Sequence, residues 1–401
     1  MRKAIYTLLG LIVLAAIGFF VFAPAYVERN TNLVDGKPLP EISDEARALH
    51  ATLTIVDFHS DTLLWKRSML DRADRGHVDL PRLQDGNVAL QIFSSVTKSP
   101  EDQNYDSNPS NTDQLTALVI GQLQPVRTWN SLLERSLYHA EKLDEAVAGS
   151  NAALAKIETA SQLNALLSAR SADEPTTGAL FSAEGLHSLE GEIANLDKLY
   201  AAGMRMAGLT HFFDNELAGS MHGEQKGGLT EFGRHVVRQM EEIGMVVDIA
   251  HCSRTCVAEV LSMARRPVVS SHGGVQATCD VNRNLSDEEI RGVAATGGVI
   301  AIGYWEGAVC DTSPAAIARA MTHVRDLVGV EHIALGSDYD GAVTVRFDTA
   351  GLVHVTQALI DAGFSEEEIR AVMGGNALRV LSAGLLPLAE LPAEEPSEPA
   401  A

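Results

Sequence analysis

Eight short apolar runs, rich in β-branched residues, alternate with longer amphipathic stretches along this 401-residue chain, and that alternation constrains the fold most. The runs cover residues 53–58, 88–94, 178–183, 204–210, 245–250, 267–271, 298–303 and 332–336. Helical patterning fills residues 230–243, 253–265, 286–296, 314–328 and 365–373 between and after them. Ser286 with Glu289, and Ser365 with Glu368, have the spacing of capping boxes. Strands that alternate with helices make a parallel sheet, because each helix carries the chain back to start the next strand. Eight such units predict an α/β fold, one (β/α)8 TIM-type barrel over residues 40–385 with an insertion after the second strand at about 97–175. An open doubly wound sheet is the alternative, but no G-x-G-x-x-G or phosphate-binding loop follows any strand.

The two ends read differently. Arg2-Lys3 precede an uncharged run over residues 5–27, which as a helix spans roughly 34 Å, enough to cross a bilayer. Residues 1–31 are therefore expected to be a signal anchor, or a signal peptide cleaved near Ala23-Pro24-Ala25. Either way the positive end stays in the cytoplasm and the body is exported, to the periplasmic or extracellular face of the plasma membrane. Residues 386–401, rich in proline and glutamate, are expected to be a disordered acidic tail. A net charge of −22 repels phosphate backbones, so nucleic acid is not an expected partner. Four cysteines, Cys252, Cys256, Cys279 and Cys310, are too few for a disulfide scaffold and lack zinc-finger spacing.

The chemistry gathers at strand ends. His59, His211, His251 and His272 close the first, fourth, fifth and sixth runs, and Asp57, Asp61, Glu184, Asp338 and Asp340 occupy the same rim. In a (β/α)8 barrel those ends form one funnel, where the fold places active sites. A lone histidine there is more often structural; four converging with several acids point to a metal. On an extended chain His59 and Asp61 face one side and can reach one cation. Imidazole and carboxylate donors suit Zn²⁺ or a related divalent metal.

These motifs resemble the renal (membrane) dipeptidase family, zinc peptidases of the amidohydrolase-like, metal-dependent-hydrolase barrel superfamily. The resemblance rests on DFHSD (57–61), SAEGLHS (182–188), LTHFFDN (209–215), DIAHCS (248–253), SSHGG (270–274), NRN (282–284), GSDYDG (336–341) and GGNALRVL (374–381), in that order. It implies a binuclear zinc site with His59 and Asp61 on one Zn²⁺, His251 and His272 on the other, and Glu184 bridging both. It further implies that His211 faces the scissile carbonyl, Arg283 grips the substrate's C-terminal carboxylate, and Asp338 handles the proton while a metal-bridging hydroxide attacks. The substrates implied are dipeptides, L-D dipeptides included, and a homodimer is a possible assembly.

Other residues read more plainly. Beside Asp287-Glu288-Glu289, Arg283 alone would suggest a surface ion pair. Asp340 suits a turn cap before Gly341, Asp57 either orients a histidine or ends its strand, and His187 is second to the site or structural. His222 lies in a Gly-rich segment (219–228) that suggests a mobile rim loop. The resemblance places Cys279 and Cys310 in a disulfide, and leaves Ser99 and Phe213 where a second one would stand. Phe58 and Ser60 replace glycine and asparagine often seen in the family, and Phe212, Phe213 and Asp214 would reshape the pocket wall. Two other functions stay open: a barrel amidohydrolase acting on a lactam or other small amide, and an anchored binding protein without catalysis.

Overall fold

The computed structural model describes residues 2–171 and 175–386. Eight parallel strands close on themselves: β2 (Ile55–Ser60), β3 (Val88–Ser95), β5 (Thr177–Ala183), β6 (Met204–Gly208), β7 (Val246–Asp248), β8 (Val269–Gly273), β9 (Val299–Ile302) and β10 (Ile333–Leu335). Closure comes from β2, which pairs with both β3 and β10, and from β3, which pairs with β5 across the insertion. All eight predicted runs are strands of this barrel. Val56, Leu90, Leu180, Met206, Val246, Val269, Val299 and Ala334, one from each strand, pack in one buried cluster with Ala377, Val380 and Leu381 of the helix Asn376–Gly384. A set drawn from every strand can meet only inside the barrel, so apolar side chains fill that interior and leave the opposite end for chemistry.

Three short strands were not foreseen. β4 (Leu154–Lys156) adds to the start of β5, and β1 (Leu33–Val34) pairs in parallel with β11 (Thr344–Val345). Two- and three-residue pairings carry too little pattern to be read locally. The insertion carries two helices, Leu115–Gly121 and Leu132–Gly149. Both predicted capping boxes are present, at Ser286 and Ser365.

At the N-terminus a helix runs over Arg2–Thr31. Among the described residues no helix is long and apolar enough to cross a membrane. The expected span covers positions 8, 12, 15 and 16, whose side chains lie outside the described set. The far end of this helix is not a free stalk. Glu28, 1% exposed, is ion-paired to Arg67 and Arg75 of the barrel. The acidic tail expected over 386–401 lies, from 387 on, outside the described residues.

Candidate active site

The strand ends bring His59, Asp61, Glu184, His211, His251, His272, Arg283 and Asp338 into one buried group, each no more than 8% exposed. The backbone departs from regular strand to do this. β2 has a register irregularity between Asp57 and Ser60, and β8 one between Ser270 and Gly273, so His59 and His272 each sit in a bulged segment. Asp61 is not on an extended strand as the i, i+2 spacing implied. It has already left β2, with φ −98° and ψ 27°, and opens a short 3-10 turn. Its Oδ1 nonetheless lies 3.4 Å from His59 Nε2. His251 and Asp338 hold φ 64° and 59°, a left-handed conformation that side chains adopt when the surroundings impose it.

Glu184 stands at the centre. Its Oε1 lies 2.7 Å from His251 Nε2 and 2.9 Å from His272 Nε2. Its Oε2 faces His211 Nε2 at 3.4 Å and His59 Nε2 at 3.9 Å. Three overlapping groups could each hold a cation: His59, Glu184 and His272; Glu184, His211 and His251; and His59, Asp61 and Asp338. The donor set fits a metal in two further respects. His59 Nε2 and Asp61 Oδ1 are buried without a hydrogen-bond partner. Burial alone would lower His59, yet Asp61, Glu184 and Asp338 push it up to about 10, the mark of a site short of positive charge. Asp61 is pushed up to about 6 by burial and by Glu184. Burial, with Asp61 and Glu184 adding to it against His59 and Arg283, drives Asp338 well above the usual carboxylate range.

The ring orientations are fixed from behind. Asp248 accepts from Ser271 Oγ at 2.5 Å, and that hydroxyl lies 2.8 Å from His272 Nδ1. His211 Nδ1 meets the carbonyl oxygen of Lys98 at 3.1 Å. A carbonyl only accepts, so Nδ1 carries a proton and Nε2 is left to face the cavity. Asp57 does not touch a histidine ring; it accepts from Gln91 and from the Ser337 backbone and hydroxyl, tying β2 to its neighbours.

A cavity of about 540 Å³ opens over the group and is lined by Asp61, Glu184, His211, His251, Arg283 and Asp338. Arg283 is 2% exposed and lines it, its guanidinium donating to the His272 carbonyl oxygen at 2.6 Å, so it is no surface ion pair. Asp340 corrects another expectation: it does not merely cap a turn but is fully buried against Arg67, the His77 amide and the Thr62 hydroxyl. His222 is fully buried, stacked on Phe212 and bonded to the Tyr105 carbonyl oxygen, so it belongs to no mobile rim. The segment around it is pinned because Asp214 accepts from Ser220 and Gln225 amides. His187 meets Thr97 at 2.9 Å and is structural. Cys279 and Cys310 form a disulfide, and Cys252 and Cys256 are buried and free.

Sequence reasoning missed several lining residues: Val27 and Thr31 from the N-terminal helix, Tyr105 from the insertion, and Trp65 and Trp305. Trp305 follows β9 and was findable as a strand-end aromatic. The others come from segments with no strand-end signal.

A closed parallel barrel with acids and histidines on its rim defines the metal-dependent hydrolases. Comparison with known proteins narrows this. Residues 43–386 match the model of the membrane dipeptidase family, Peptidase family M19, and the chain belongs to that family. It is a metallodipeptidase. Dipeptidase aclJ of Aspergillus oryzae is 29% identical over 354 residues, 82% of this chain and 77% of that protein. Dipeptidase 3 of Mus musculus is 26% identical over 374 residues, 85% of this chain and 66% of that protein. Among solved structures, the probable dipeptidase PvdM from Pseudomonas aeruginosa superposes with a TM-score of 0.70 at 19% identity, covering 85% of this chain and 98% of that one. A metallo peptidase from Rhodobacter sphaeroides liganded with a phosphinate mimic of the dipeptide L-Ala-D-Ala gives 0.68 at 19% identity, covering 83% and 99%.

Proposed function

We propose that this chain hydrolyses dipeptides, L-D dipeptides included, with two zinc ions. The carrying observation is Glu184, whose two oxygens turn toward different histidines: Oε1 to His251 and His272, Oε2 toward His59 and His211. His59 and Asp61 would hold one cation and His251 and His272 the other, with Glu184 shared between them. When bound, the pair supplies Lewis acidity at the scissile carbonyl and makes water acidic enough to react near neutral pH.

The chain's own residues do the rest. Arg283 binds the substrate's carboxylate by charge-assisted hydrogen bonds, which the buried site strengthens. With Nδ1–H donating to the Lys98 carbonyl oxygen, His211 turns Nε2 toward the scissile carbonyl and, as the imidazolium, donates from it as that oxygen gains charge. Asp338, a carboxyl whose proton affinity burial raises, takes a proton from water in its ionised form and returns it to the departing amine. The inclusion of L-D dipeptides among the substrates is supported by the L-Ala-D-Ala mimic bound in the structural relative from Rhodobacter sphaeroides.

Export with the N-terminal helix as membrane anchor belongs to the same reading. It is supported by Arg2-Lys3 at the start of a 30-residue helix and by the exposure of Leu9, Leu11, Leu14, Phe19 and Phe22 along it. A homodimer rests on the family resemblance alone.

The deciding experiment measures metal content and turnover of L-L and L-D dipeptides on one preparation of the full chain, before and after chelation, with His59→Ala and Asp338→Asn alongside. About two zinc per chain, with turnover lost on chelation and in both variants, is the expected result. Turnover that survives chelation and His59→Ala would overturn it.

A further inference from the structure

The family match starts at residue 43, yet the segment ahead of it is built into the active site. Residues 27–35 run off the N-terminal helix beside the loop that follows β10 and carries Asp338. The Leu33 amide donates to Val343 at 3.1 Å, the Asp35 amide to Val345 at 2.8 Å, and Asn32 Oδ1 accepts from the Ala342 amide at 2.8 Å. That loop needs holding. Asp338, Asp340 and Ala342 have φ of 59°, 64° and 58°, three left-handed non-glycine residues within five positions. Such a backbone persists only where its surroundings fix it.

The fixing groups lead back to the N-terminal segment. Asp340 is ion-paired to Arg67, accepts from the His77 amide at 2.6 Å and from Thr62 at 2.8 Å, and Thr62 adjoins Asp61. Arg67 is in turn paired with Glu28, whose second oxygen takes Arg75 Nε at 2.8 Å. His77 bridges the same two pieces a second way: Nδ1 accepts from the Asp340 amide at 3.0 Å, and Nε2 meets the Leu33 carbonyl oxygen at 3.2 Å. One turn apart on the helix, Val27 and Thr31 line the cavity that also exposes Asp338, Arg283 and His211.

We propose that residues 27–35 are a strap belonging to the active site, in which Glu28 is a positioning residue for the Asp338 loop and Val27 and Thr31 are a specificity-determining wall of the substrate pocket. The proposal rests on Asp338 acting as described under Proposed function. Removing the Glu28 charge takes away the acid that holds Arg67 from the strap side, so Arg67 is no longer fixed in its place against Asp340 and the loop departs from its left-handed path. Displacement of a catalytic group by a fraction of an ångström lowers turnover without changing which groups bind substrate.

The test uses the full chain in detergent, with dipeptides of small and bulky side chains, and reads kcat, KM and bound metal. Glu28→Gln is expected to lower kcat ~10-fold with KM and metal content near wild type, and Glu28→Asp to recover part of the loss. Arg72→Ala, outside the strap and with an exposed guanidinium paired to exposed Asp85, leaves both constants unchanged. Thr31→Trp is expected to raise KM for bulky dipeptides ~10-fold while sparing small ones. Should Glu28→Gln fail to fold, Asn32→Ala, which removes the contact to the Ala342 amide, must lower kcat in the same way. Wild-type kcat in the variant that folds, or unchanged selectivity in Thr31→Trp, overturns the strap. Asp338→Asn run in parallel separates the two ideas: an inactive Asp338→Asn beside a fully active Glu28→Gln sinks the strap alone, whereas an active Asp338→Asn sinks the reading of the site.

Discussion

His59 Nε2 lies 3.4 Å from Asp61 Oδ1, both atoms buried and neither with a hydrogen-bond partner. The acids around it push His59 up to about 10, so at neutral pH the metal-free imidazole holds a proton that a cation must displace. Zinc uptake should therefore release at least one proton per chain. Affinity should rise roughly tenfold per pH unit between about 7 and 9. Calorimetric titration in buffers of different ionisation enthalpy measures the release directly; no buffer dependence would contradict it. His59→Ala should lose both the release and most of the bound metal.

Asp338→Asn keeps size and polarity but cannot carry a proton. Turnover should fall by about 10²–10⁴-fold, while metal content stays near wild type because His59, Asp61, Glu184, His251 and His272 remain. Metal analysis beside steady-state kinetics checks this. Loss of metal in step with activity would make Asp338 a ligand instead.

Arg283→Met should act on binding. A buried hydrogen bond to a charged group contributes about 1.5–3 kcal/mol, so KM for a dipeptide should rise roughly 10- to 100-fold. A dipeptide amide, lacking the carboxylate, should be a poor substrate for both enzymes and hardly distinguish them. Comparing the free acid and the amide with wild type and variant tests the assignment.

Acid should unfold the barrel partly through His50. Burial lowers this histidine from 6.5 to about 4, so between those values the unfolded chain takes a proton that the folded chain refuses. Its contribution to stability is complete above about pH 6.5, is lost as pH falls toward 4, and changes no further below. The loss is about 3 kcal/mol. Denaturant melts at pH 7 and pH 4.5 should show a smaller difference for His50→Gln than for wild type.

The disulfide joins residues 31 apart in sequence, Cys279 on the segment leading to Arg283 and Cys310 beyond β9. Replacing both cysteines with serine should cost about 3–4 kcal/mol by freeing a loop of that length in the unfolded chain. Chemical denaturation of the oxidised wild type against the double variant reads the difference.

The barrel was legible because apolar period and helix caps are local. Each of the eight runs proved a barrel strand, and Ser286 and Ser365 cap their helices as spaced. His59, His211, His251 and His272 were legible as a group because a closed parallel barrel sends every strand's carboxyl end to one rim. Their individual geometry was not. Asp61 reaches His59 from a 3-10 turn rather than from the strand, since the strand's register breaks after Asp57. Asp340 looked like a turn cap because Gly341 follows it; its charge partner Arg67 is hundreds of residues away in sequence. His222 looked mobile among glycines, but Phe212 and Asp214 bury and pin its segment.

The sequence by itself determined the barrel, its strand order and the chemical kinds of side chain on its rim, because strand period, caps and residue type are set by neighbours along the chain. Only the tertiary structure decided which oxygen of Glu184 meets which histidine, that Val27 and Thr31 line the pocket, and that Glu28 ties their helix to Arg67. Those relations join parts of the chain that meet only after the barrel has closed. Ring closure fixes their distances, and no local pattern encodes it.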